Sequence, residues 1–276
     1  MNICRQNSRT LLGFCLEIAG KIRKNTCVEF VWSMTVMSTI AERIQTIQKN
    51  IEAACRRSGR EPEQIQLILV TKTASMAAIQ EVIRLGFTDL GENRVQHLKQ
   101  IADEVDAFLK QQQAENPSFP KQVRWHMIGH LQRNKVKQTL QVCNYIHSVD
   151  TLRLAEEINT VAAKLDHHPN VLLQVNCSEE PQKYGAPVGA AVHLAEQIAS
   201  MPNLRLIGLM TMAPLTMNKE VVRACFARCR EIFEEIRAEN IGGAKFKHLS
   251  MGMSQDYEIA VEEGATILRI GSAVFA

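Results

Sequence analysis

The chain has 276 residues, of which 46% are hydrophobic and 22% charged, as expected for a globular protein with one large domain or two small ones. The net charge is +3, but five basic and two acidic residues within 1–36 supply that excess, so residues 37–276 carry no net charge. This balance argues against a nucleic-acid-binding protein, and no apolar run reaches the roughly 18 residues that a membrane span needs.

The eight cysteines form no CxxC pair and no regular framework. In a chain of this size, that usage favours reduced thiols and a cytoplasmic protein. Cys225 and Cys229 lie four residues apart on a predicted helix, where packing explains them without a metal.

Residues 1–36 are interpreted as an N-terminal extension: a disordered tail, a targeting segment or the product of an upstream start codon. Its apolar stretch at 11–20 contains Glu17 and lacks a clear cleavage site for a signal peptide. Met37 looks like a natural beginning, because Ser38 or Thr39 can cap the helix that follows. The folded domain is therefore predicted over 37–276.

From residue 39 onward, helical and strand patterns alternate along the chain. The first predicted helix, 39–57, places Ile40, Ile44, Ile47 and Ile51 on one face. The predicted strands are 66–72, 87–93, 124–129, 145–149, 171–176, 204–210, 247–251 and 267–275. The helices predicted after the first strand are 75–85, 94–109, 133–141, 150–165, 188–201, 219–238 and 255–263.

Eight strands that alternate with helices predict an α/β fold, a single (β/α)8 TIM barrel, with an open doubly wound sheet as the alternative. The chain ends directly after the eighth predicted strand, so no eighth crossover helix can follow that strand. The helix 39–57 is expected to fill the gap that this leaves in the outer ring.

Lys72 stands at the end of the first predicted strand, the apolar run 66–72. In a barrel or an open α/β sheet, ligands bind at the carboxyl ends of the strands. An amine at that edge can attack a carbonyl and form a Schiff base. The alternative is a lysine whose charged end simply reaches solvent.

Two glycine- and serine-containing turns follow the seventh and eighth predicted strands, where barrels often bind phosphate. They contain Ser250, Met251 and Ser254 in the first turn and Gly271 and Ser272 in the second. Glycine lets a ligand approach the backbone, and the serines add hydroxyl donors. Together with Lys72, these turns predict a ligand that carries both an aldehyde and a phosphate.

Arg269 and His126 lie within the eighth and third predicted strands. An arginine that faces a barrel interior needs a partner, and a carboxylate such as Glu92 is one candidate. His126 and His130 are four residues apart on a strand and loop, so they would not share a face as zinc-binding histidines on a helix do. No metal site is predicted.

These residues together resemble the pyridoxal phosphate homeostasis family (YggS- or PROSC-type proteins), which shares its barrel with the N-terminal domain of alanine racemase. The resemblance covers essentially all of 38–276, and the matching segments keep the family's order. They are Val70-Thr-Lys-Thr73, Gly91-Glu-Asn93, Val95-Gln96, Trp125-His-Met-Ile-Gly129, Leu131-Gln132, Asn134-Lys135, His147-Ser-Val-Asp150, Gln174-Val-Asn176, Lys183-Tyr-Gly185, Gly208-Leu-Met210, Ser250-Met-Gly-Met-Ser254, Asp256 and Arg269-Ile-Gly271.

The resemblance implies a barrel of the alanine racemase N-terminal type that holds pyridoxal 5′-phosphate (PLP) as a Schiff base on Lys72. It places Asn93 and His126 around the ring and Arg269 near the ring nitrogen. The turns at 250–254 and 271–272 are placed near the phosphate. Arg94 stands where the family commonly has an aromatic residue, and the last strand stops at Phe275-Ala276 where the family usually continues.

The implied function is intracellular PLP homeostasis, in which the protein buffers the cofactor and delivers it to enzymes without catalytic turnover. The implied partners are PLP and other B6 vitamers, with apoenzymes that need PLP as candidates, and the implied state is a monomer. Lys135, Lys137 and Lys183 are candidates for a second, weaker cofactor site. Lys183 is the one to examine, although a solvated lysine is the expected interpretation.

A PLP-dependent amino-acid racemase of low activity is the alternative. Two-base racemisation needs a second acid/base group opposite the lysine, which related racemases take from a tyrosine of an additional domain. None of Tyr145, Tyr184 and Tyr257 ends a predicted strand, but His126 could substitute. An enzyme that uses Lys72 on a sugar phosphate, or an inert barrel, is a third possibility.

Overall fold

The computed structural model describes residues 38–276, and the extension inferred for 1–36 lies outside this range. Eight parallel strands follow one another around a closed barrel in chain order, and β8 pairs with β1. The TIM barrel predicted from the sequence is confirmed. The strands are β1 (Gln66–Val70), β2 (Asp89–Glu92), β3 (Arg124–Met127), β4 (Tyr145–Val149), β5 (Asn170–Gln174), β6 (Arg205–Met210), β7 (His248–Ser250) and β8 (Ile267–Ile270).

The helices surround the barrel, and several begin at a polar cap. The side chains of Ser75, Thr151 and Asn218 each accept a hydrogen bond from a backbone N–H in the first turn of their helix. The helices are α1 (Ile40–Ser58), α2 (Met76–Arg84), α3 (Val95–Glu115), α4 (Val136–Leu140), α5 (Leu152–Lys164), α6 (Ala191–Ala199), α7 (Lys219–Ala238), α8 (Tyr257–Glu262) and α9 (Ser272–Phe275).

Helix α1 completes the outer ring, as the sequence predicted. A capping box begins it, in which Thr39 and Glu42 each accept a hydrogen bond from the other's backbone N–H. The helix packs against α8, α9 and α2. Arg43 donates hydrogen bonds to the carbonyl groups of Val274 and Ala276, which ties the last residues of the chain to this helix.

Two predicted boundaries differ most from the structure. The strand predicted at 267–275 ends at Ile270, and the apolar residues after Gly271 form α9. The helix predicted at 94–109 continues to Glu115, because most of residues 110–115 are good helix formers. The pattern missed this last part because these residues are mostly polar and show no apolar period. Within 38–276, no helix is long and apolar enough to cross a membrane.

The hydrophobic core is divided between two shells. The larger one lies between the strands and the helices and includes the buried thiols of Cys225 and Cys229 on α7. The smaller one fills part of the barrel interior and consists of Ile68, Leu172, Ile207, Met210 and Ile267. Because successive residues of a strand face opposite sides, Arg269 faces inward with Ile267.

We expect Gly208→Ala to destabilise the barrel strongly. A Cβ atom at position 208 on β6 would lie 1.8 Å from the carbonyl oxygen of His248 on β7, so the two strands would have to separate. A loss on the order of 3 kcal/mol or more in the free energy of unfolding should follow, measured by urea denaturation.

Gly189→Ala is the matched control, because a Cβ atom there has no heavy atom within 4 Å. This variant should unfold within roughly 0.5 kcal/mol of the unmodified protein. Equal stability of the two variants would contradict the proposed strand–strand clash.

Candidate functional site

The rim at the carboxyl ends of β7, β8 and β1 brings together most of the residues predicted for the site. Ile68 and Leu69 on β1 pair with Arg269 and Ile270 on β8. One position further along, a Cβ atom at Gly271 would lie 3.2 Å from Val70. Lys72 follows Val70 by two residues, in an exposed turn beside the start of α9. The strand is therefore shorter than predicted, and the lysine is more open to solvent than a strand-end residue.

The loops after β7 and β8 are joined by one serine. The Oγ atom of Ser254 accepts hydrogen bonds from the backbone N–H of Gly271 at 3.4 Å and from that of Ala273 at 3.1 Å. Ser272 is exposed beside them. The result is a cluster of hydroxyl and amide groups next to Lys72, which are groups that bind phosphate oxygens.

Arg269 is buried in the barrel interior directly beneath this rim, with 3% of its surface exposed. Its Nη1 donates to Ser250 Oγ at 2.7 Å, and its Nη2 donates to the carbonyl oxygen of Thr211 at 3.0 Å. Within residues 38–276, no carboxylate lies within ion-pairing distance of its guanidinium, so the suggested pair with Glu92 is wrong. The Glu92 carboxylate instead contacts Thr71 and His97. Burial lowers the pKa of Arg269 to about 10, so the side chain still carries its charge at neutral pH.

Two histidines connect Ser250 to the opposite end of the barrel. His147 Nδ1 lies 2.9 Å from Ser250 Oγ, and His147 Nε2 lies 3.0 Å from His126 Nδ1. His126 Nε2 in turn lies 3.1 Å from Asp89 Oδ1. Asp89 and Arg124 are the first residues of β2 and β3, and Arg124 forms a two-pronged ion pair with the Asp89 carboxylate. A continuous polar chain therefore crosses the barrel.

The electrostatic environment keeps both histidines neutral. Burial lowers the pKa of His126, and the Asp89 carboxylate only partly opposes this effect. Burial also lowers the pKa of His147 well below its ordinary value, with the positive fields of His126 and Arg269 acting in the same direction. Burial alone would raise the pKa of Asp89, but hydrogen bonds from His126 and Arg124 outweigh it and hold that pKa well below the usual range.

Asn93 occupies the rim at the end of β2, where the loops after β2 and β3 are in contact. A Cβ atom at Gly129 would lie 2.3 Å from the carbonyl oxygen of Asn93, so only glycine allows this approach. Asn93 is half-buried and Arg94 is exposed. Asn93 thus lies on the same edge as Lys72, whereas the Arg94 side chain reaches solvent.

Three predicted site residues have surroundings that differ from the expectation. Ser250 was expected near a phosphate, but its hydroxyl contacts Arg269 and His147. The Met251 side chain is fully buried in the outer shell, because it alternates with the inward-facing Ser250, so only its backbone can reach the site. Both ring nitrogens of His126 are bonded inside the barrel, and a polar contact with a ligand would break one of those bonds.

Lys183 is not the solvated lysine that the sequence suggested. Its Nζ donates to the carbonyl oxygen of Ala213 at 2.9 Å and forms an ion pair with Glu180. These contacts connect the loop after β5 to the loop after β6. Tyr145 begins β4 at the amino end of the barrel and stacks on His126, whereas Tyr184 lies in the loop after β5 and stacks on His130 in the loop after β3.

Comparison with known proteins gives a consistent result. Residues 43–276 match the family "Alanine racemase, N-terminal domain". The chain is 38% identical to the pyridoxal phosphate homeostasis protein of Aquifex aeolicus, over 85% of this chain and 96% of that protein. It is also 38% identical to the protein of the same name from Pseudomonas aeruginosa, over 87% of this chain and 96% of that protein. The chain belongs to the pyridoxal phosphate homeostasis protein family.

A solved structure extends the comparison to three dimensions. PipY of Synechococcus elongatus, in a structure described as having PLP bound, superposes with a TM-score of 0.69. It is 32% identical in sequence, and the match covers 86% of this chain and all of that one. The family assignment therefore agrees in sequence and in backbone.

Sequence reasoning missed Asp89 and the bonding role of His147. Asp89 lies at the amino end of β2, which carries no ligand-binding expectation in a barrel. His147 was noted only as part of a matching segment. A signal was nevertheless present, because polar residues at 126, 147, 250 and 269 interrupt four apolar strands, and buried polar groups need partners.

The buried imidazoles predict an acid-dependent loss of stability. Because the pKa of His147 is lower in the folded protein, the unfolded chain binds a proton below about pH 6.5 that the folded protein rejects. Its contribution is complete above that pH and declines as the pH falls, by at most about 1.4 kcal/mol per pH unit. His147→Gln should flatten the slope of unfolding free energy between about pH 6 and 5, measured by urea denaturation.

The same experiment contains its own control. Above about pH 7.5, histidine is neutral in the unfolded chain as well, so the two proteins should show parallel pH dependence there. An unchanged slope between pH 6 and 5 in His147→Gln would show that this imidazole titrates normally in the folded state.

Proposed function

We propose that this protein binds pyridoxal 5′-phosphate, holds it covalently on Lys72 and serves intracellular PLP homeostasis by buffering and delivering the cofactor. The observation that carries the proposal is the combination of the buried Arg269 on β8 and the exposed Lys72 in the turn that follows the adjacent strand β1. A buried cation without a carboxylate partner is unfavourable unless a ligand or polar groups compensate it.

The residues present fit the chemical groups of the cofactor. The aldehyde requires an amine, which Lys72 supplies at the rim. The phosphate requires donors, which the hydroxyls of Ser254 and Ser272 and the amides around Gly271 supply on the adjacent loops. The pyridine nitrogen accepts a hydrogen bond, and Arg269 is a group that can only donate. Asn93 at the end of β2 completes the rim around the ring.

Ser250, Met251 and His126 take supporting positions in this proposal. Ser250 accepts a hydrogen bond from Arg269 and so holds the guanidinium in place. The Met251 backbone joins β7 to β8 through a hydrogen bond to Ile267, which fixes the loop that carries Ser254. His126 supports the site from below through His147.

The protein handles the cofactor rather than catalysing a reaction with it, in keeping with the name its relatives carry. Bound PLP supplies an electrophilic aldehyde that condenses reversibly with amines. A buffer needs that reversibility and a site open to solvent, and Lys72 is exposed. Apoenzymes that require PLP are the partners we propose, with a monomer as the working unit. A cytoplasmic location agrees with the five free buried cysteines in the described chain.

Lys72→Ala should abolish covalent attachment of PLP while the barrel stays folded. The side chain is exposed in a turn, so its truncation removes the amine and little packing. The measurement is borohydride reduction of the protein with added PLP, followed by peptide mass mapping. In the unmodified protein, the pyridoxyl mass is expected on the peptide that contains Lys72.

Lys164→Ala provides the matched control, because Lys164 is an exposed lysine at the end of α5 and is not a candidate for either cofactor site. This variant should retain the full pyridoxyl label and the visible absorbance of the bound cofactor. Stoichiometric label elsewhere in Lys72→Ala would place the anchor on another lysine. A colourless protein that takes up no PLP would refute the proposed function and favour an enzyme that uses the lysine on a sugar phosphate.

A further inference from the structure

The polar chain through the barrel has two ends of fixed hydrogen-bonding character. Arg269 at one end can only donate, and the ionised carboxylate of Asp89 at the other end can only accept. Between them stand Ser250, His147 and His126, each of which can donate one hydrogen and accept another when the imidazoles are neutral.

These ends leave one arrangement of the hydrogens. Asp89 must accept from His126, so in the neutral imidazoles both Nδ1 atoms are acceptors, and Ser250, which accepts from Arg269, donates its hydroxyl hydrogen to His147 Nδ1. His147 then carries its hydrogen on Nε2 and donates it to His126 Nδ1. His126 likewise carries its hydrogen on Nε2 and donates it to Asp89. Every link is satisfied, and reversal of one link between neutral groups would leave two acceptors face to face or require an imidazolium.

The charged groups around the chain support this assignment. Hydrogen bonds from His126 and Arg124 keep the Asp89 carboxyl ionised and therefore an acceptor. Around the imidazoles lie His248, Tyr145 and Arg269, none of which is a carboxylate. Asp256 and Cys229 are the acidic groups that act on Arg269, and neither hydrogen-bonds its guanidinium. Among the described residues, Asp89 is the one carboxylate that hydrogen-bonds His126 or His147, and it lies at the far end of the polar chain.

We propose that Asp89, His126, His147 and Ser250 form a positioning relay that fixes the orientation of Arg269 from the amino end of the barrel. The relay makes Ser250 an obligatory acceptor toward Arg269, so the guanidinium keeps one rotamer and directs its remaining donors toward the ligand side. The inference rests on the proposed function for the identity of that ligand. None of the four residues is a catalytic residue in this scheme.

The relay also connects two surfaces of the barrel. Its outer end lines a cleft of about 370 Å³ at the amino ends of the strands, with Asp89, Arg124 and Gln66 in the wall. Its inner end is Ser250, which is fully buried beneath the cofactor rim. A substitution at Asp89 should therefore change the binding of a ligand at the opposite end of the barrel.

The first test reads the tautomers directly in the full-length, cofactor-free protein. Selective ¹⁵N labelling of the eight histidines and two-bond ¹H–¹⁵N correlation distinguish the two neutral tautomers from imidazolium. His126→Gln and His147→Gln assign the signals. We expect both residues as neutral Nε2–H tautomers at neutral pH. An Nδ1–H tautomer or an imidazolium at either residue at neutral pH would overturn the inference.

The second test measures PLP affinity by the visible absorbance of the bound cofactor. His147→Gln can mimic the relay, since its amide accepts from Ser250 and donates to His126, whereas His147→Leu cannot. His147→Leu should raise the Kd for PLP by roughly tenfold and shift the absorbance band. The Kd of His147→Gln should stay within about threefold of that of the unmodified protein. Identical affinity and spectra for all three would overturn the inference.

Asp89→Asn extends the test to the far end, with Gln66→Leu as its control. An asparagine must present a donor either to Arg124 or to His126, so we expect a mixed His126 tautomer and weaker PLP binding, by roughly fivefold. Gln66→Leu removes a donor to Asp89 outside the relay and should change neither. If Asp89→Asn binds PLP like the unmodified protein, the relay does not act on the site.

Failure of this inference is distinguishable from failure of the proposed function. An unmodified protein that carries PLP on Lys72 but shows another tautomer, or no effect of His147→Leu, refutes the relay alone. An unmodified protein that takes up no PLP refutes the proposed function, and the relay loses its ligand with it.

Discussion

The burial of one guanidinium governs the rest of this site. Arg269 faces the barrel interior because strand alternation places it there with Ile267, and burial lowers its pKa to about 10 without removing the charge. An unpaired charge in a protein interior costs several kcal/mol unless polar groups surround it. Here the surrounding groups are a hydroxyl and a backbone carbonyl, which satisfy donors but do not neutralise the cation.

That constraint explains why half of the barrel interior is polar. The layers of a TIM barrel are usually branched apolar side chains, as Ile68, Leu172, Ile207 and Ile267 are here. A hydroxyl that accepts from arginine must pass its own hydrogen to another acceptor, and each imidazole then faces the same requirement. The series can end only at a group that accepts without donating, and here that group is the Asp89 carboxylate, whose charge Arg124 and solvent can compensate.

Local sequence pattern was sufficient for the order of the elements and insufficient for contacts across the barrel. Apolar runs, helix periods and polar caps such as Ser75 and Thr151 are local signals, and the structure follows them closely. The turn into α9 was missed because Val274 and Phe275 have strand-like side chains. Backbone hydrogen bonds to Gly271 form the turn, and Arg43, more than two hundred residues earlier in the chain, donates to the carbonyl group of Val274 within it.

The site residues likewise divide into those that local sequence pattern could predict and those that it could not. Lys72, Ser254 and Arg269 could be predicted because their strands end at one edge of any parallel barrel. The partners of Arg269 could not, since Ser250 and His147 belong to β7 and β4, which are not neighbours in the sheet. Only closure of the barrel brings their side chains together across its interior.

The proposed pairing of Arg269 with the pyridine nitrogen also bears on the choice between a carrier and a racemase. An arginine has no lone pair to receive a proton and no readiness to lose one, so a ring nitrogen that accepts from it stays unprotonated. An unprotonated ring withdraws electrons weakly and therefore stabilises a carbanion poorly. The related racemases share this barrel, and on this reading they depend on the second acid/base group from their additional domain.

In this chain, Tyr145 is stacked at the amino end of β4 and Tyr257 hydrogen-bonds Asn50 on α1, so neither is placed to supply that group. In the proposed function, the arginine that pairs with the ring nitrogen thus limits the reactions open to bound PLP, which is the property a cofactor reservoir requires.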